Sequence, residues 1–292
     1  MIRGPIALAT CREALGLDTD MPLLVAALQR ADVDSVVVPW NDDVDWSQFR
    51  LVVIRSTWDY HRRYAEFMAW VHRVSQVTNV ANSAEVIAWN TDKRYLADIA
   101  DAELPIVPTV FVAPHEPVDL ALITKLLEAG DVVIKPTVSA GSNDTERHDD
   151  RDRLVAHVQA LHASGRTAMV QPYLREVETS SETGLVYIDG EFSHAFAKGP
   201  MLRDPKTMAE GLYAEERIEA RTPSEAERLQ GDRVLSYVTN RFGRPLYTRV
   251  DLLPSENGPV IIEVEMTEPS LYVHLSDDAA DRLADAIRRS AA

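Results

Sequence analysis

Four short runs rich in β-branched residues, Ile6–Ala9, Ser35–Val38, Leu51–Ile54 and Thr109–Val112, punctuate residues 1–115, with helical patterns between them. Strand and helix in alternation close a sheet through crossovers, so this part of the chain is expected to be α/β with a mostly parallel sheet. Asp20 reads as a helix N-cap with Pro22 in the first turn. The stretch from His61 to Val74 sets Tyr64, Phe67, Met68, Val71 and Val74 on one helical stripe.

Two further units follow. Residues 116–175 hold a strand at Val132–Ile134, a small polar loop from Ser139 to Asp144, a helix from about Asp152 to His162 and a strand at Ala168–Val170. Residues 176–292 hold strands at Leu185–Ile188 and Ser193–Phe196, a helix from about Pro223 to Phe242, two late strands and a closing helix. The length of 292 residues suits two or three domains with real cores.

Charge narrows the partners. The net charge is −16, and no Lys/Arg cluster interrupts it, so nucleic acid is not expected. The longest apolar run, Met21–Leu28, is far too short for a bilayer, and no leader opens the chain. With one cysteine, Cys11, the chain reads as a soluble cytoplasmic protein. An anionic ligand would need a few placed cations or a metal to override the global field. Only five of the thirty basic residues are Lys, so each lysine is informative.

The most informative segment is late. Tyr247-Thr-Arg-Val-Asp-Leu-Leu and Val260-Ile-Ile-Glu-Val-Glu-Met flank the turn residues Pro-Ser-Glu-Asn-Gly-Pro, which makes a hairpin. Period-2 alternation puts Arg249 and Asp251 on one face of the first strand and Glu263 and Glu265 on one face of the second. A turn centred near Asn257 sets Asp251 opposite Glu263 and Arg249 opposite Glu265. Three carboxylates so gathered destabilise the sheet and raise their own pKa values unless a cation sits among them. Oxygen ligands select a hard ion such as Mg2+. The plain alternative is a solvated sheet face with a surface salt bridge.

Lys135 ends a strand before Pro136 and the small-residue loop, where an ammonium and backbone N–H groups can meet phosphate oxygens. Lys198 closes another strand, and Lys93 lies in Trp89-Asn-Thr-Asp-Lys-Arg-Tyr-Leu at a helix start. Each lysine alone reads equally as a solvated surface charge. GxxxxGK[ST], GxGxxG, HExxH, CxxC and GxSxG are all missing, which disfavours Walker, Rossmann, zinc and serine-hydrolase readings.

Taken in order, Lys93, Val-Val-Ile-Lys135-Pro with its loop, Gln171-Pro-Tyr-Leu174, Glu182, Lys198, Arg249-Val-Asp251 and Glu263-Val-Glu265 resemble the ATP-grasp superfamily over nearly the whole chain. The resemblance implies an ATP-grasp fold of three modules: an N-terminal parallel α/β domain (1–115) for substrate, a small central lid (116–175) and a C-terminal subdomain with a metal site (176–292), the two α+β subdomains holding ATP between them. It implies that Lys93 and Lys135 touch ATP phosphates under the loop carrying Ser139, Gly141 and Ser142. Gln171, Tyr173 and Leu174 would offer groups to adenine, and Glu182 would take the ribose. Asp251, Glu263 and Glu265 would hold one or two Mg2+ ions, or Mn2+ in their place, with Arg249 and Lys198 as catalytic residues at the transferred phosphate. Two departures stand out: Glu265 occupies a position that is Asn in many relatives, and the loop has a single glycine.

Arg55-Ser-Thr-Trp-Asp-Tyr60, Ser193-His-Ala and Glu268-Pro-Ser270 look like the small ATP-grasp group that includes the cyclo-ligase making the antibiotic D-cycloserine from O-ureido-D-serine. The implied substrate residues are Thr10, Arg55, Trp58, Asp59, Tyr60, Glu268 and Ser270. Thr10 and Arg55 lie at strand ends, where an open α/β sheet binds ligands, and Arg55 can pair a carboxylate bidentately. A helix cap with a packed Trp is the competing reading of residues 55–60. The implied reaction passes a γ-phosphoryl group to a carboxylate and lets a nitrogen of the same small amino-acid-like molecule displace it. Two alternatives stay open: an intermolecular amino-acid or peptide ligase of the glutathione-synthetase kind, and a nucleotide-binding regulator without turnover. A homo-oligomer is compatible with any of them.

Overall fold

The computed structural model describes residues 4–116, 119–200, 202 and 217–292. Its first unit contains β1 (Ile6–Thr10), α1 (Asp20–Arg30), β2 (Ser35–Pro39), β3 (Leu51–Ser56), α2 (Tyr64–Ser75), β4 (Val80–Ala81), α3 (Ala84–Asn90) and α4 (Tyr95–Asp101). The sheet runs β2-β1-β3-β4, all parallel. β1 and β3 are buried along their whole length, which is why they read as unbroken apolar runs. Alternation splits their side chains between two cores. Ile6, Leu8, Leu51 and Val53 face one that includes Leu24 and Leu28 of α1, while Ala7, Ala9, Val52 and Ile54 face Phe67, Trp70 and Val71 of α2.

Two local readings change. The cap of α1 is supplied by Asp18, whose Oδ1 accepts the amides of Asp20 and Met21 at 3.0 and 3.2 Å. Asp20 is thereby released to accept the amides of Leu271, Tyr272 and Val273. The buried face of α2 centres on Phe67, Trp70, Val71 and Val74, with Tyr64 and Met68 at its margin. Trp70 belongs to that face because it sits against Trp40 and Trp46, ring centroids 5.8 and 5.2 Å away.

The central unit comprises β5 (Val110–Val112), α5 (Leu120–Ala129), β6 (Val132–Pro136), β7 (Glu146–His148), α6 (Arg151–Ala163) and β8 (Ala168–Pro172), with sheet order β5-β8-β6-β7 and antiparallel pairing. The run expected at Thr109–Val112 is therefore a strand, but of this sheet. Residues 105–107 are already tied to the third unit, Val107 N–H reaching Ile261 O at 2.9 Å, so the chain has left the parallel sheet before β5 begins.

The third unit adds α7 (Val177–Ser180), β9 (Glu182–Ile188), β10 (Glu191–Lys198), β11 (Ile218–Ala220), α8 (Glu225–Phe242), β12 (Tyr247–Leu253), β13 (Val260–Glu265) and α9 (Ala279–Ser290). Its antiparallel sheet runs β11-β10-β9-β12-β13. Ser224 and Glu227 close a capping box at the start of α8. The helix crosses β9 so closely that a Cβ at Gly231 would lie 2.3 Å from the Tyr187 hydroxyl. α9 returns to the first unit, where Leu283 and Ile287 share a core with Leu24 and Leu28. Among the described residues no helix is long and apolar enough to cross a membrane.

Candidate active site

The late hairpin forms with the anticipated register: Arg249 pairs with Glu265 and Asp251 with Glu263, followed by a bulge between Asp251 and Leu252. Cross-strand neighbours on one face lie within side-chain reach, so the four charges meet. Arg249 Nε donates to Asp251 Oδ1 at 2.9 Å and Nη2 to Oδ2 at 2.7 Å, a bidentate pair. The same Nη2 reaches Glu265 Oε1, and Nη1 donates to the Ser270 carbonyl at 3.0 Å. Glu263 takes a different partner, Lys93, whose Nζ lies 3.0 Å from Oε1 and also donates to Ser139 O at 2.8 Å.

This ribbon is fixed from behind by side chains of the first unit. Asn90 Nδ2 donates to Val264 O at 2.7 Å while its Oδ1 accepts Met266 N–H at 2.7 Å. Asn82 donates to Tyr247 O and Met266 O and accepts the Leu246 amide. The Tyr95 hydroxyl bonds both backbone groups of Val264 at 2.8 Å. All three residues are buried, so losing any of them strands backbone groups away from water. None stood out in the sequence, because an asparagine or tyrosine that serves a distant strand has no local periodicity.

The central unit roofs the ribbon. Lys135 extends from β6, and among the described residues its ammonium has no hydrogen bond or ion pair. Burial lowers its pKa, with Glu263 pulling the other way. The following loop turns twice, Asn143 N–H to Ala140 O and Thr145 N–H to Ser142 O, both at 3.2 Å. Gly141 adopts φ 60°, and Ser142 and Asp144 share the left-handed region at 59° and 52°. Lys198, at the end of β10, faces Glu182 at the start of β9 across 3.8 Å.

These elements enclose a cleft of about 1350 Å³ counting space open to solvent. Sixteen of the residues singled out from sequence line it: Trp58, Lys93, Lys135, Ser139, Gly141, Ser142, Gln171, Tyr173, Leu174, Glu182, Lys198, Arg249, Glu263, Glu265, Glu268 and Ser270. Sequence reasoning missed the apolar lining, including Val133, Leu253 and Ile262, and also Tyr272, held at φ 49°. Five others are absent from the lining. Asp251 is buried under Arg249. Thr10 bonds the Ser56 hydroxyl at 2.8 Å, Asp59 accepts from Trp40 Nε1 at 2.8 Å, and Tyr60 packs on Phe67 with centroids 5.2 Å apart. Arg55 is 1% exposed, 3.6 Å from Asp20, and donates to Pro269 O at 3.2 Å. Arg55, Asp59 and Tyr60 are thus engaged by Asp20 and Pro269, by Trp40 and by Phe67, while Trp58 reaches the lining, and Asp59 makes no side-chain cap bond to the turn it begins.

The electrostatics divide the carboxylates. Burial pushes Glu263, Glu265 and Glu268 up, but Lys93 and then Lys135 outweigh it at Glu263 and hold that group below the ordinary range. At Glu265 burial prevails over Arg249, with Glu263 and Asp251 adding repulsion, and the carboxyl is raised. Burial lifts Glu268 to about 7 despite Lys93. An all-oxygen donor set with one carboxyl forced upward by its neighbours is an environment a divalent cation relieves, so the residues fit Mg2+. Asp251 has three of its lone-pair sites taken by Arg249, so Glu263 and Glu265 are the more available donors.

Comparison with known proteins gives a consistent picture. Residues 6–82 match the family described as the N-terminal domain of D-cycloserine synthetase DcsG. The cycloserine biosynthesis protein DcsG of Streptomyces lavendulae is 37% identical over 97% of this chain and 98% of its own. The crystal structure of D-cycloserine synthetase DcsG superposes with a TM-score of 0.92 at 35% identity, covering 99% of this chain and all of that one. The D-alanine–D-alanine ligase of Bacillus anthracis, solved with ATP, shares the fold at TM-score 0.70 and 15% identity, over all of this chain and 97% of that one. The ATP-grasp ligase PsnB shares it at 0.63 and 17%, over the full length of both. With identity and fold agreeing along nearly its entire length, the chain belongs to the family of the D-cycloserine synthetase DcsG and is an ATP-grasp ligase.

Proposed function

We propose that this ligase activates the carboxylate of O-ureido-D-serine as an acyl phosphate, that the oxygen-bound ureido nitrogen of the same molecule displaces phosphate to close the ring, and that hydrolysis of the carbamoyl group to CO2 and NH3 leaves D-cycloserine. The observation that carries the reading is the Lys93–Glu263 and Asp251–Arg249–Glu265 array at the floor of the cleft, in a chain 37% identical to a cycloserine biosynthesis protein.

Each group has a part that its position supports. Lys93 and Lys135 both line the cleft and neutralise the phosphate tail, and the turn at Ser139, Gly141 and Ser142 presents backbone N–H groups over it. Gln171, Tyr173 and Leu174, with Val133 and Ile262, form the base pocket, and Glu182 takes the ribose hydroxyls. Glu263, Glu265 and the remaining lone pair of Asp251 would hold Mg2+, which would supply positive charge at the phosphate oxygens. Arg249 and Lys198 stabilise charge on the transferred group, and because Arg249 is held bidentately it reacts without reorganising. Trp58, Glu268 and Ser270 line the substrate end, supported by Arg55, Asp59, Tyr60 and Thr10 beneath. A cytoplasmic setting suits the need for ATP and the lone thiol of Cys11.

Incubation with ATP, Mg2+ and O-ureido-D-serine alone is expected to release ADP and D-cycloserine together, read by chromatography. ADP release that requires a second amino acid would transfer the assignment to an intermolecular ligase, and absence of ADP with any small carboxylate would remove the ligase reading altogether.

A further inference from the structure

Away from the cleft, on the outer edge of the central sheet, Glu146 and His148 of β7 meet His157 of α6. His148 Nε2 lies 3.0 Å from His157 Nδ1 and 3.7 Å from Glu146 Oε2, and one donor atom from each residue falls within 4.8 Å of the others. At Zn2+ bond lengths of 2.0–2.1 Å, tetrahedral geometry sets neighbouring donors roughly 3.3 Å apart. The two observed spacings bracket that value.

His148 is 1% exposed, and its Nδ1 has no hydrogen-bond partner. The pair is held by the contact between His148 Nε2 and His157 Nδ1 and by a hydrogen bond of His157 to the Asp144 backbone. Imidazole in its neutral form, the ordinary state near pH 7, has a lone pair to offer a metal. The surrounding charges are Asp144, Asp149, Arg153 and Arg166, with Asp144 and Arg166 joined at 2.5 Å. Asp150 caps α6 through Arg153 N–H at 2.9 Å, fixing the turn that sets β7 against the helix.

We propose that Glu146, His148 and His157 form a binding site for a borderline divalent metal, Zn2+ by preference, distinct from the oxygen-only site of the cleft. Two imidazoles and one carboxylate select Zn2+ over Mg2+, and the half-buried Glu146 and His157 leave a coordination position for water. Occupancy staples β7 to α6. β7 begins one residue after the turn that ends at Thr145, so the staple also anchors the far end of the loop over Lys135.

The test is equilibrium dialysis of the full chain against micromolar Zn2+ in millimolar Mg2+, with metal content read by mass spectrometry. The wild type and the Glu263→Gln variant are each expected to retain one Zn2+ per chain. His157→Gln should weaken retention by about 100-fold and Glu146→Gln by about tenfold. Circular dichroism checks each fold, and Glu146→Gln carries the test should His157→Gln unfold. Bound Co2+ should give the intense ligand-field bands of a four-coordinate ion, absent in His157→Gln. Equal Zn2+ retention by wild type and His157→Gln, no retention by the wild type, or loss in Glu263→Gln alone would each overturn the proposal.

Discussion

The floor and the roof of the cleft are both antiparallel sheets that present cations to the same space, yet they are held in opposite ways. On the floor, Arg249 and Lys93 pair with Asp251, Glu265 and Glu263, leaving one carboxylate in excess, and Asn82, Asn90 and Tyr95 lock the strands beneath them. On the roof, Lys135 makes no hydrogen bond or close ion pair among the described residues, feeling Glu263 only at longer range, and the loop beyond it keeps Ser142 and Asp144 in left-handed conformations that cost about 1 kcal/mol or more each. A set of charges paired in advance gains little new contact on binding but holds its geometry during reaction. An unpaired ammonium gains its partner only from a ligand. On the proposed function the floor would be the catalytic half and the roof the affinity half.

The sharpest way to break this division is Glu263→Gln. It removes a floor charge and is expected to lower turnover by roughly a thousandfold, with circular dichroism unchanged; near-normal turnover would take Glu263 out of the site. Next in size is Asn90→Ala, which strands the Val264 carbonyl and Met266 amide and should cost about 2 kcal/mol in urea unfolding. A loss as small as that of a surface change would show that the floor is not locked from behind.

Lys135→Ala probes the roof. ATP affinity should weaken at least tenfold by calorimetry while Lys125→Ala, on α5, leaves it unchanged. Equal affinities would deny the roof its role. The smallest effect concerns Glu268. Its carboxyl, raised by burial from 4.5 to about 7, keeps a proton that the unfolded chain releases, so stability falls as pH rises through that window. Glu268→Gln should flatten the slope and add on the order of 1 kcal/mol at pH 8, after solvent screening. An unchanged slope would place Glu268 in water.

The same contrast explains what was legible in the sequence. The hairpin register followed from period-2 alternation and one turn, so Arg249, Asp251, Glu263 and Glu265 were placed correctly against one another. That Glu263 is held low while Glu265 is raised was not legible, because it depends on Lys93 arriving from a different unit, 170 positions away along the chain. Asp20 looked like a cap from composition alone. Only the fold reveals that Asp18 does that task and frees Asp20 to hold residues 271–273. Thr109–Val112 read correctly as a strand, yet its sheet was decided by the tie between Val107 and Ile261, a contact without local signature.

Oxygen transfer tests the chemistry of the paired floor most directly. With 18O in the substrate carboxylate, ATP and Mg2+, carboxylate activation predicts that one 18O appears in the inorganic phosphate released on product formation. Phosphate free of label, formed at the same rate as product, would contradict it.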